Sequence, residues 1–311
     1  ITIVSLGLSI MTEFVIGGFD TTQRPVLVGV VMLVVYVLVM VGNVANILFI
    51  VCDRQLHKPM FLLICNLAVV DMLYSSSSTP TMIGVLVSEV KTISYVPCLV
   101  QMFVFHLAGV MEMFALAVMA LDRLIAICYP FRYHSLLTNA RTCVLAYVLW
   151  IVAAAFVAIM PAIVVPLPYC HSRLKYIFCD FAAVVRATCG NPGYIFRLIT
   201  IITFFLLFFT FGLICLSYLM IIIAVRSFSK NDKKKTFSTC LSHLIVVTCY
   251  YGPVFIRVVL TRAGVVLTLE ERHGLMVGAI LGPSLVNPFV YCLRTKEIKN
   301  KIFKKLQKQE C

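Results

Sequence analysis

The stretch PVLVGVVMLVVYVLVMVGNVANILFIVC, residues 25–52, contains no charged side chain. It exceeds the about 20 residues that a helix needs to cross the ~30 Å hydrocarbon core of a bilayer. Four more uncharged runs follow, at 142–170, 198–225, 236–256 and 273–293. Two other runs, 59–88 and 92–121, are as long but carry one acid each, Asp71 and Glu112. The pattern predicts an all-α membrane protein with a bundle of seven transmembrane helices.

Composition and charge agree with a membrane protein. Hydrophobic residues make up 61% of the chain and charged residues 13%, against roughly one quarter charged in soluble domains. Most of the 26 lysines and arginines fall on one side of the predicted bundle, so the positive-inside rule puts the N-terminus outside. We expect an extracellular segment at 1–24, a transmembrane domain at 25–293 and a cytoplasmic tail at 294–311. The net charge of +13 then reflects topology and an anionic inner leaflet, without any nucleic acid.

Four of the 13 cysteines lie on the predicted outer side: Cys98, Cys170, Cys179 and Cys189. An even number of outer cysteines suggests disulfides, and four cysteines allow three pairings. The residues alone do not choose among these pairings.

The segment MALDRLIAICYPFRYHSLL, residues 119–137, ends the third run with an acid and base pair, Asp122 and Arg123. A charge near the lipid is costly unless it is paired, hydrated or functional. One interpretation is a helix-end ion pair in which Arg123 extends toward the headgroups. The other is a functional pair at the cytoplasmic end of the helix.

Four separate segments resemble one family. They are MALDRLIAICYPFRYHSLL, HKPMFLLICNLAVVDM (57–72), KKTFSTCLSHLIVV (234–247) and PSLVNPFVYCLRTKEIK (283–299). In order and content they are similar to the signatures of vertebrate odorant receptors, within the rhodopsin-like G-protein-coupled class. The resemblance implies a multi-pass receptor of the cell membrane that binds a small odorant and activates a heterotrimeric G protein, which stimulates adenylyl cyclase.

The resemblance also implies an activation mechanism at the inner side. Arg123 is a latch that Asp122 restrains in the inactive state, and Tyr218 and Tyr291 stabilise the active arrangement. His243, Asn287 and Pro288 belong to the same machinery. Pro288 removes a helix hydrogen-bond donor and permits a hinge, although a static kink is the alternative.

The resemblance brings the two membrane acids, Asp71 and Glu112, side by side. Two carboxylates that close either share a proton or hold a cation. We therefore expect either a Na⁺ site helped by Asn43, Ser284 and Asn287, or two protonated acids that are hydrogen-bonded in the core.

By resemblance, the odorant binds in the outer half of the bundle. The implied lining residues are Phe105, His106, Gly109, Val110, Tyr251, Val254, Val258 and Arg262. Phe105 stands where amine receptors carry an aspartate, which argues against an amine ligand. His106 and Arg262, with Arg257 as an alternative, suggest a carboxylate-bearing odorant held by charge-assisted hydrogen bonds. The alternative is that Arg262 is an exposed loop charge and His106 a packed core histidine.

Two further expectations come from the resemblance and the pattern of the tail. The resemblance pairs Cys98 with Cys179 and Cys170 with Cys189, which makes the loop between the fourth and fifth helices a lid. In the tail, one face carries Ile298, Ile302, Phe303 and Leu306 among lysines, which is typical of an interfacial helix.

Other function classes fit less well. The seventh run has no lysine for a retinal Schiff base, and the chain contains no HExxH, P-loop or nucleophile-elbow motif, which argues against an opsin and an enzyme. An ion channel or transporter that uses Asp71 and Glu112 is the alternative function.

Overall fold

The computed structural model of the chain describes residues 4–5, 8–9, 12–262 and 268–294. The apolar runs form seven long helices, and this confirms the predicted seven-helix membrane bundle. These helices are α1 (Pro25–Cys52), α2 (Pro59–Val87), α3 (Tyr95–Cys128), α5 (Asn139–Val164), α7 (Gly193–Val225), α8 (Lys230–Arg262) and α9 (Leu269–Arg294). Each helix satisfies its own backbone hydrogen bonds, which lipid cannot do.

Shorter elements join the long helices. They are a 3₁₀ turn (Arg54–Leu56), α4 (Tyr133–Leu136), α6 (Phe181–Ala187) and the strands β1 (Val4–Ser5), β2 (Leu8–Ser9), β3 (Glu13–Ile16), β4 (Thr92–Ser94) and β5 (Arg173–Leu174). Strands β1 and β2 pair with each other, antiparallel. The tail residues Ile298, Ile302, Phe303 and Leu306 lie outside the described part of the chain.

Several helix ends differ from the boundaries that the apolar runs predict, and two of these differences have a clear physical reason. The third run ends at Leu121, but α3 continues to Cys128 because Asp122 and Arg123 pair with each other and need not leave the helix. The fourth run reaches Cys170, but α5 ends at Val164. Prolines at 166 and 168 follow, and a proline disfavours helical geometry in the residue before it.

Helix α3 lies at the centre of the bundle and has the largest buried share of the seven spans. It packs against α2, α5, α7 and α8. Small and flexible side chains fill its inner faces: Ala108, Met111, Ala115, Leu116, Met119 and Ala120. A hydrogen bond from Trp150 Nε1 to Asn66 Oδ1, 3.0 Å, joins α5 to α2 beside it. Because α3 runs the full depth of the bundle, residues on it can connect the two ends.

The two disulfides, Cys98–Cys179 and Cys170–Cys189, lie at one end of the bundle, called here the disulfide end. They are the pairings that the family resemblance implies. The first ties the start of α3 to the loop at 165–192, and the second closes that loop on itself. The far end of the bundle, which carries Asp122 and Arg123, is called the Arg123 end.

A three-stranded sheet closes the disulfide end. Strand β3, from the N-terminal segment, lies between β4 and β5, antiparallel to the first and parallel to the second. Beyond β3, the amide of Gly18 donates to the Tyr176 carbonyl at 3.0 Å. A Cβ at Gly18 would lie 2.4 Å from the Tyr176 carbonyl carbon, so this close approach requires glycine.

Asp20 fastens the N-terminal segment to both of its neighbours. Its carboxylate accepts from Lys91 Nζ at 3.2 Å and from Arg173 Nη2. The hydrogen bond from Arg173 lowers the pKa of Asp20, and the bond from Lys91 adds to the effect against partial burial. A lowered pKa contributes stability that is complete above the ordinary value of about 3.9 and is lost as pH falls through the folded-state value. The clasp therefore holds at neutral pH.

We expect Asp20→Asn to loosen the N-terminal segment at neutral pH. Exposed ion pairs contribute little each, so amide exchange at Val15 to Gly18 should accelerate about two- to fivefold, measured by hydrogen–deuterium exchange mass spectrometry. Glu13→Gln, which changes an exposed acid of β3 in the same N-terminal segment, is the matched control and should leave exchange unchanged. Equal exchange in wild type and Asp20→Asn would contradict the clasp.

Candidate functional site

An aromatic cluster lies around Phe105 in the disulfide-end half of the bundle. The Phe105 ring stacks on Tyr74 of α2, with centroids 4.8 Å apart, and contacts Phe178 of the loop at 4.7 Å. Such pairs contribute about 0.5–1.5 kcal/mol beyond the area that they bury. Phe105 therefore fixes the loop to α2 and α3 and forms the wall between loop and bundle.

His106, the next residue on α3, bonds to an acid from the loop. Its Nε2 lies 3.0 Å from Asp180 Oδ1, and its ring is nearly perpendicular to that of Phe181, with centroids 6.5 Å apart. The histidine side chain is 24% exposed and the aspartate side chain 12%, so solvent reaches the pair only in part. His106 is thus a candidate ligand donor whose Nε2 already has an anionic partner.

Tyrosines of α8 complete the other side of this region. Tyr251 donates to Thr210 Oγ1 of α7 at 2.8 Å, and Tyr250 donates to the Gly109 carbonyl of α3 at 2.9 Å. Val110 is buried beside them. These bonds join α3, α7 and α8, so the predicted residues Gly109, Val110 and Tyr251 do lie together.

The structure describes the side chains of only some of the predicted lining residues on α8. Val254 is partly buried and packs against the core. The side chains of Arg257, Val258 and Arg262 lie outside the described part of the chain, although the backbone of α8 extends to Arg262.

The two membrane acids lie fully buried at mid-depth, close enough to interact electrostatically. Asn287 of α9 donates through Nδ2 to both oxygens of Asp71, at 3.0 and 2.9 Å. Neither oxygen of Glu112 has a hydrogen-bond partner among the described residues. Asn43 donates to the carbonyls of Val39 and Ser284, at 2.9 and 3.1 Å.

Several buried oxygens at this centre are of the kinds that a hard cation binds. Besides both oxygens of Glu112, the buried oxygens without a partner in the described chain include Asn43 Oδ1, Asn287 Oδ1 and Ser75 Oγ. Burying such groups unpaired is costly, and a charged carboxylate most of all. Carboxylate, amide and hydroxyl oxygens are suitable ligands for a hard cation. The residues therefore fit a Na⁺ ion, while of the two acids Asp71 is hydrogen-bonded to Asn287 and Glu112 has no hydrogen-bond partner among the described residues.

The acid and base pair, Asp122 and Arg123, forms a hydrogen-bonded group at the Arg123 end. Arg123 donates to Asp122 Oδ2 through Nε at 3.0 Å and also through Nη2. The other oxygen, Oδ1, accepts from the Tyr133 hydroxyl of α4 at 2.7 Å. Burial, and then the negative charge of Asp122, raise the pKa of Tyr133, so its hydroxyl stays protonated and donates. Arg123 is thus held back toward its own helix.

His243 of α8 connects three helices at a point further inside the bundle than Arg123. Its Nε2 lies 3.1 Å from the Leu116 carbonyl of α3, and its Nδ1 lies 2.8 Å from the Tyr218 hydroxyl of α7. A carbonyl can only accept, so Nε2 carries the proton and Nδ1 accepts from the tyrosine. Tyr218, a predicted partner of the active state, is therefore bonded to His243 here. The bridge holds α8 against α3.

The seventh-helix motif lies beside these groups. The Tyr291 hydroxyl, buried, faces the Met119 sulfur of α3 at 3.9 Å. Pro288 lies inside α9, and a Cβ at Gly42 of α1 would come within 3.1 Å of its ring. Helices α1 and α9 therefore approach closely where Pro288 weakens the helix.

Sequence reasoning missed Asp180, Tyr133 and Thr210. The relation of Asp180 to His106 could have been found from the implied Cys98–Cys179 pairing, because Cys98 and His106 are eight residues apart and share a face of α3. Tyr133 and Thr210 gave no such indication, because a tyrosine in a polar loop and a threonine in an apolar helix are ordinary.

The fold and the site together define a class. Seven membrane-spanning helices surround a central α3 that is joined by a disulfide to the loop at one end and carries a restrained Asp-Arg pair at the other. This is the architecture of a rhodopsin-like G-protein-coupled receptor, a multi-pass membrane protein.

Comparison with known proteins gives the family. The olfactory receptor family model matches residues 32–309. Olfactory receptor 11A1 of Homo sapiens is 36% identical over 299 residues, which cover 95% of this chain and 94% of that protein. Olfactory receptor 1500 of Rattus norvegicus is 32% identical, covering 95% of each chain, and olfactory receptor 6N1 of Homo sapiens is 33% identical, covering 96% of each. The chain belongs to the olfactory receptor family.

We expect His243→Ala to destabilise the receptor. The change leaves the Leu116 carbonyl and the Tyr218 hydroxyl unpaired in a buried place, at about 1–3 kcal/mol for each group. The apparent melting temperature of the purified receptor should fall by about 2–4 °C for each kcal/mol lost. An exposed loop histidine provides the control, because His171→Ala removes an imidazole from the surface of the loop at 165–192. Equal melting of the two variants would contradict the bridge.

Proposed function

We propose that an odorant occupies the disulfide-end half of the bundle, that this end faces outside the cell, and that the Arg123 end activates a heterotrimeric G protein that stimulates adenylyl cyclase. The observation that carries the proposal is the continuity of α3. The same helix bears Phe105 and His106 near one end and the restrained Arg123 near the other. The basic residues concentrated on the Arg123 side support the orientation.

The proposed ligand site uses the residues that the family resemblance implies. They are Phe105, His106, Gly109, Val110, Tyr251, Val254, Val258 and Arg262. The described members among them form a largely apolar and aromatic region with few polar groups, which is the usual character of small-molecule sites.

A carboxylate-bearing odorant is the proposed ligand class. His106 Nε2 is already bonded to the carboxylate of Asp180, which supports recognition of a carboxylate at this position. An odorant that takes this position has to replace Asp180, and Arg262 is the proposed second donor. Replacement separates the loop from α3 at this contact, so binding and loop movement are linked.

Activation then follows as a shift between two states. A ligand moves such an equilibrium only by the difference in its affinity for the two states. The described arrangement, with Arg123 held by Asp122 and Tyr133 and with α8 held by His243, has the character of the inactive state. In the proposed active state Arg123 leaves Asp122, and Tyr218 and Tyr291 take new partners. Pro288 and Asn287 accommodate the change in α9.

The function is tested by cAMP accumulation in cells that express the chain with a stimulatory G protein. Small carboxylic acids should activate it, and Arg262→Ala should raise their half-maximal concentration on the order of ten- to a hundredfold, since one charge-assisted hydrogen bond is lost. Arg197→Ala, an exposed arginine of α7, is the matched control at equal surface expression.

The outcomes separate the parts of the proposal. Activation by neutral odorants alone, unchanged by Arg262→Ala, would reject the carboxylate ligand and retain the receptor. Silence toward acids, amines and neutral odorants at full surface expression would reject the receptor function and favour the channel or transporter alternative.

We also propose that Na⁺ binds between Asp71 and Glu112 with Asn43, Ser284 and Asn287. The unpartnered oxygens of Glu112 support a cation here. Because a bound cation favours the state whose site fits it, odorant potency should differ between sodium and choline buffers of equal ionic strength.

The sodium effect on potency should disappear in Glu112→Gln, while Glu13→Gln should retain it. A potency that depends on pH and not on sodium would reject the ion and favour two protonated acids.

A further inference from the structure

The disulfide end contains a cleft whose lining shares no residue with the proposed odorant site. It has a volume of about 570 Å³ and lies between the loop residues 170–176 and helix α6. Small-molecule sites usually measure about 300–1,000 Å³, so the cleft has the size for a small ligand. Its walls are kept in place by the Cys170–Cys189 disulfide and by the amides of Cys170 and His171, which both donate to the Ala187 carbonyl at 3.0 and 3.1 Å.

The ionisable groups in the lining are all basic or neutral. They are His171, Arg173, Lys175, Arg186 and Tyr176, without an acid among them. Arg173 is neutralised by Asp20. Lys175 and Arg186 have no acidic partner within ion-pair distance in the described chain, and both are exposed. Two uncompensated cations therefore face one small cleft, and they favour an anion in it.

Arg186 is held in position by aromatic side chains. Its guanidinium carbon lies 5.8 Å from the centroid of the Tyr176 ring and 5.5 Å from that of Phe196. Such cation–π contacts contribute about 0.5–1 kcal/mol at exposed sites and involve no hydrogen bond of the guanidinium. The N–H groups on its edge remain suited to a carboxylate, which arginine binds in two parallel hydrogen bonds.

The floor of the cleft is apolar. Leu174, Ala183 and Ala187 are buried and line it together with the Tyr176 ring. A ligand that fills the cleft therefore combines an anionic group, for the two cations, with a short apolar body, for the floor.

We infer that this cleft is a second binding site, for small organic carboxylates, at the disulfide end. Arg186 binds the carboxylate, Lys175 adds a second positive charge, and Leu174, Ala183 and Ala187 contact the apolar body. The site does not require the odorant pocket, since its lining and the pocket residues are different. It does share the loop, because Tyr176 lies two residues from Phe178 and four from Asp180.

Benzoate is a suitable probe, because it has one carboxylate and a small apolar ring, and benzamide is its neutral counterpart. Binding is measured by saturation-transfer difference NMR on the full chain in phosphatidylcholine nanodiscs. In the His106→Gln, Arg262→Ala background, which removes the proposed carboxylate anchors of the odorant site, we expect benzoate and not benzamide to bind, and Arg186→Gln to weaken binding on the order of tenfold, as expected for one charge-assisted hydrogen bond. Lys175→Gln should weaken it less.

Two controls make the result specific. Arg197→Gln removes the same charge from an exposed position outside the cleft and should leave benzoate binding unchanged. His106→Gln with Arg262→Ala removes the proposed anchors of the odorant pocket and should also leave cleft binding intact, which separates failure of this site from failure of the proposed odorant site.

Several outcomes would overturn the inference. One is equal binding of benzoate and benzamide in the His106→Gln, Arg262→Ala background, or no binding of either. Another is an equal loss in Arg186→Gln and Arg197→Gln, because that result indicates surface charge alone. Unchanged affinity in both Arg186→Gln and Lys175→Gln would also reject the site. Lys175→Gln changes only an exposed side chain, so the test remains decisive if Arg186→Gln folds poorly.

Discussion

Lipid offers polar side chains no hydrogen-bond partner, and this constraint organises the whole bundle. Three pairs of polar residues lie on α3 or in contact with it, each at a different depth in the bundle. His106 meets Asp180 near the disulfide end, Glu112 lies with Asp71 at mid-depth, and Asp122 holds Arg123 near the other end. At a rise of 1.5 Å per residue, the steps between these levels are roughly 9 and 15 Å. The bundle therefore contains a polar axis inside an apolar exterior.

The three levels differ in how many of their buried polar atoms have hydrogen-bond partners. At the Arg123 end both oxygens of Asp122 have partners, and His243 fills the hydrogen-bonding capacity of its two nitrogens. At mid-depth several buried oxygens have none in the described residues, and Glu112 is the extreme case. A fully satisfied network resists change, and a partly satisfied one depends on what else binds there. The Asp122–Arg123 pair thus resists change, whereas the Glu112 site on the same helix, which fits a cation, depends on what binds there.

The same physics explains which parts of the fold and of the candidate site could be predicted from the sequence. The seven spans could be read from uncharged runs, because a lipid-spanning helix tolerates little else. Helix ends were less predictable: a paired Asp122 and Arg123 let α3 continue, and proline ended α5 before its apolar run ended. Strand β3 could not be predicted from the sequence, since its partners β4 and β5 are far along the chain and a strand of four residues has little pattern of its own. Asp180 lies far along the chain from α3, and the implied Cys98–Cys179 pairing was the one signal in the sequence that placed it there.

The loop at 165–192 is the element that connects the parts of the disulfide end. Within a dozen residues it supplies β5 to the sheet, Tyr176 to the cleft, Phe178 to the aromatic wall and Asp180 to His106. Two disulfides hold it, so its segments cannot move independently over large distances. A molecule that displaces Asp180 from His106 therefore disturbs a chain segment whose preceding residues are bonded to the N-terminal strand. Strand β5, Tyr176, Phe178 and Asp180 are therefore parts of one piece of backbone that the two disulfides hold.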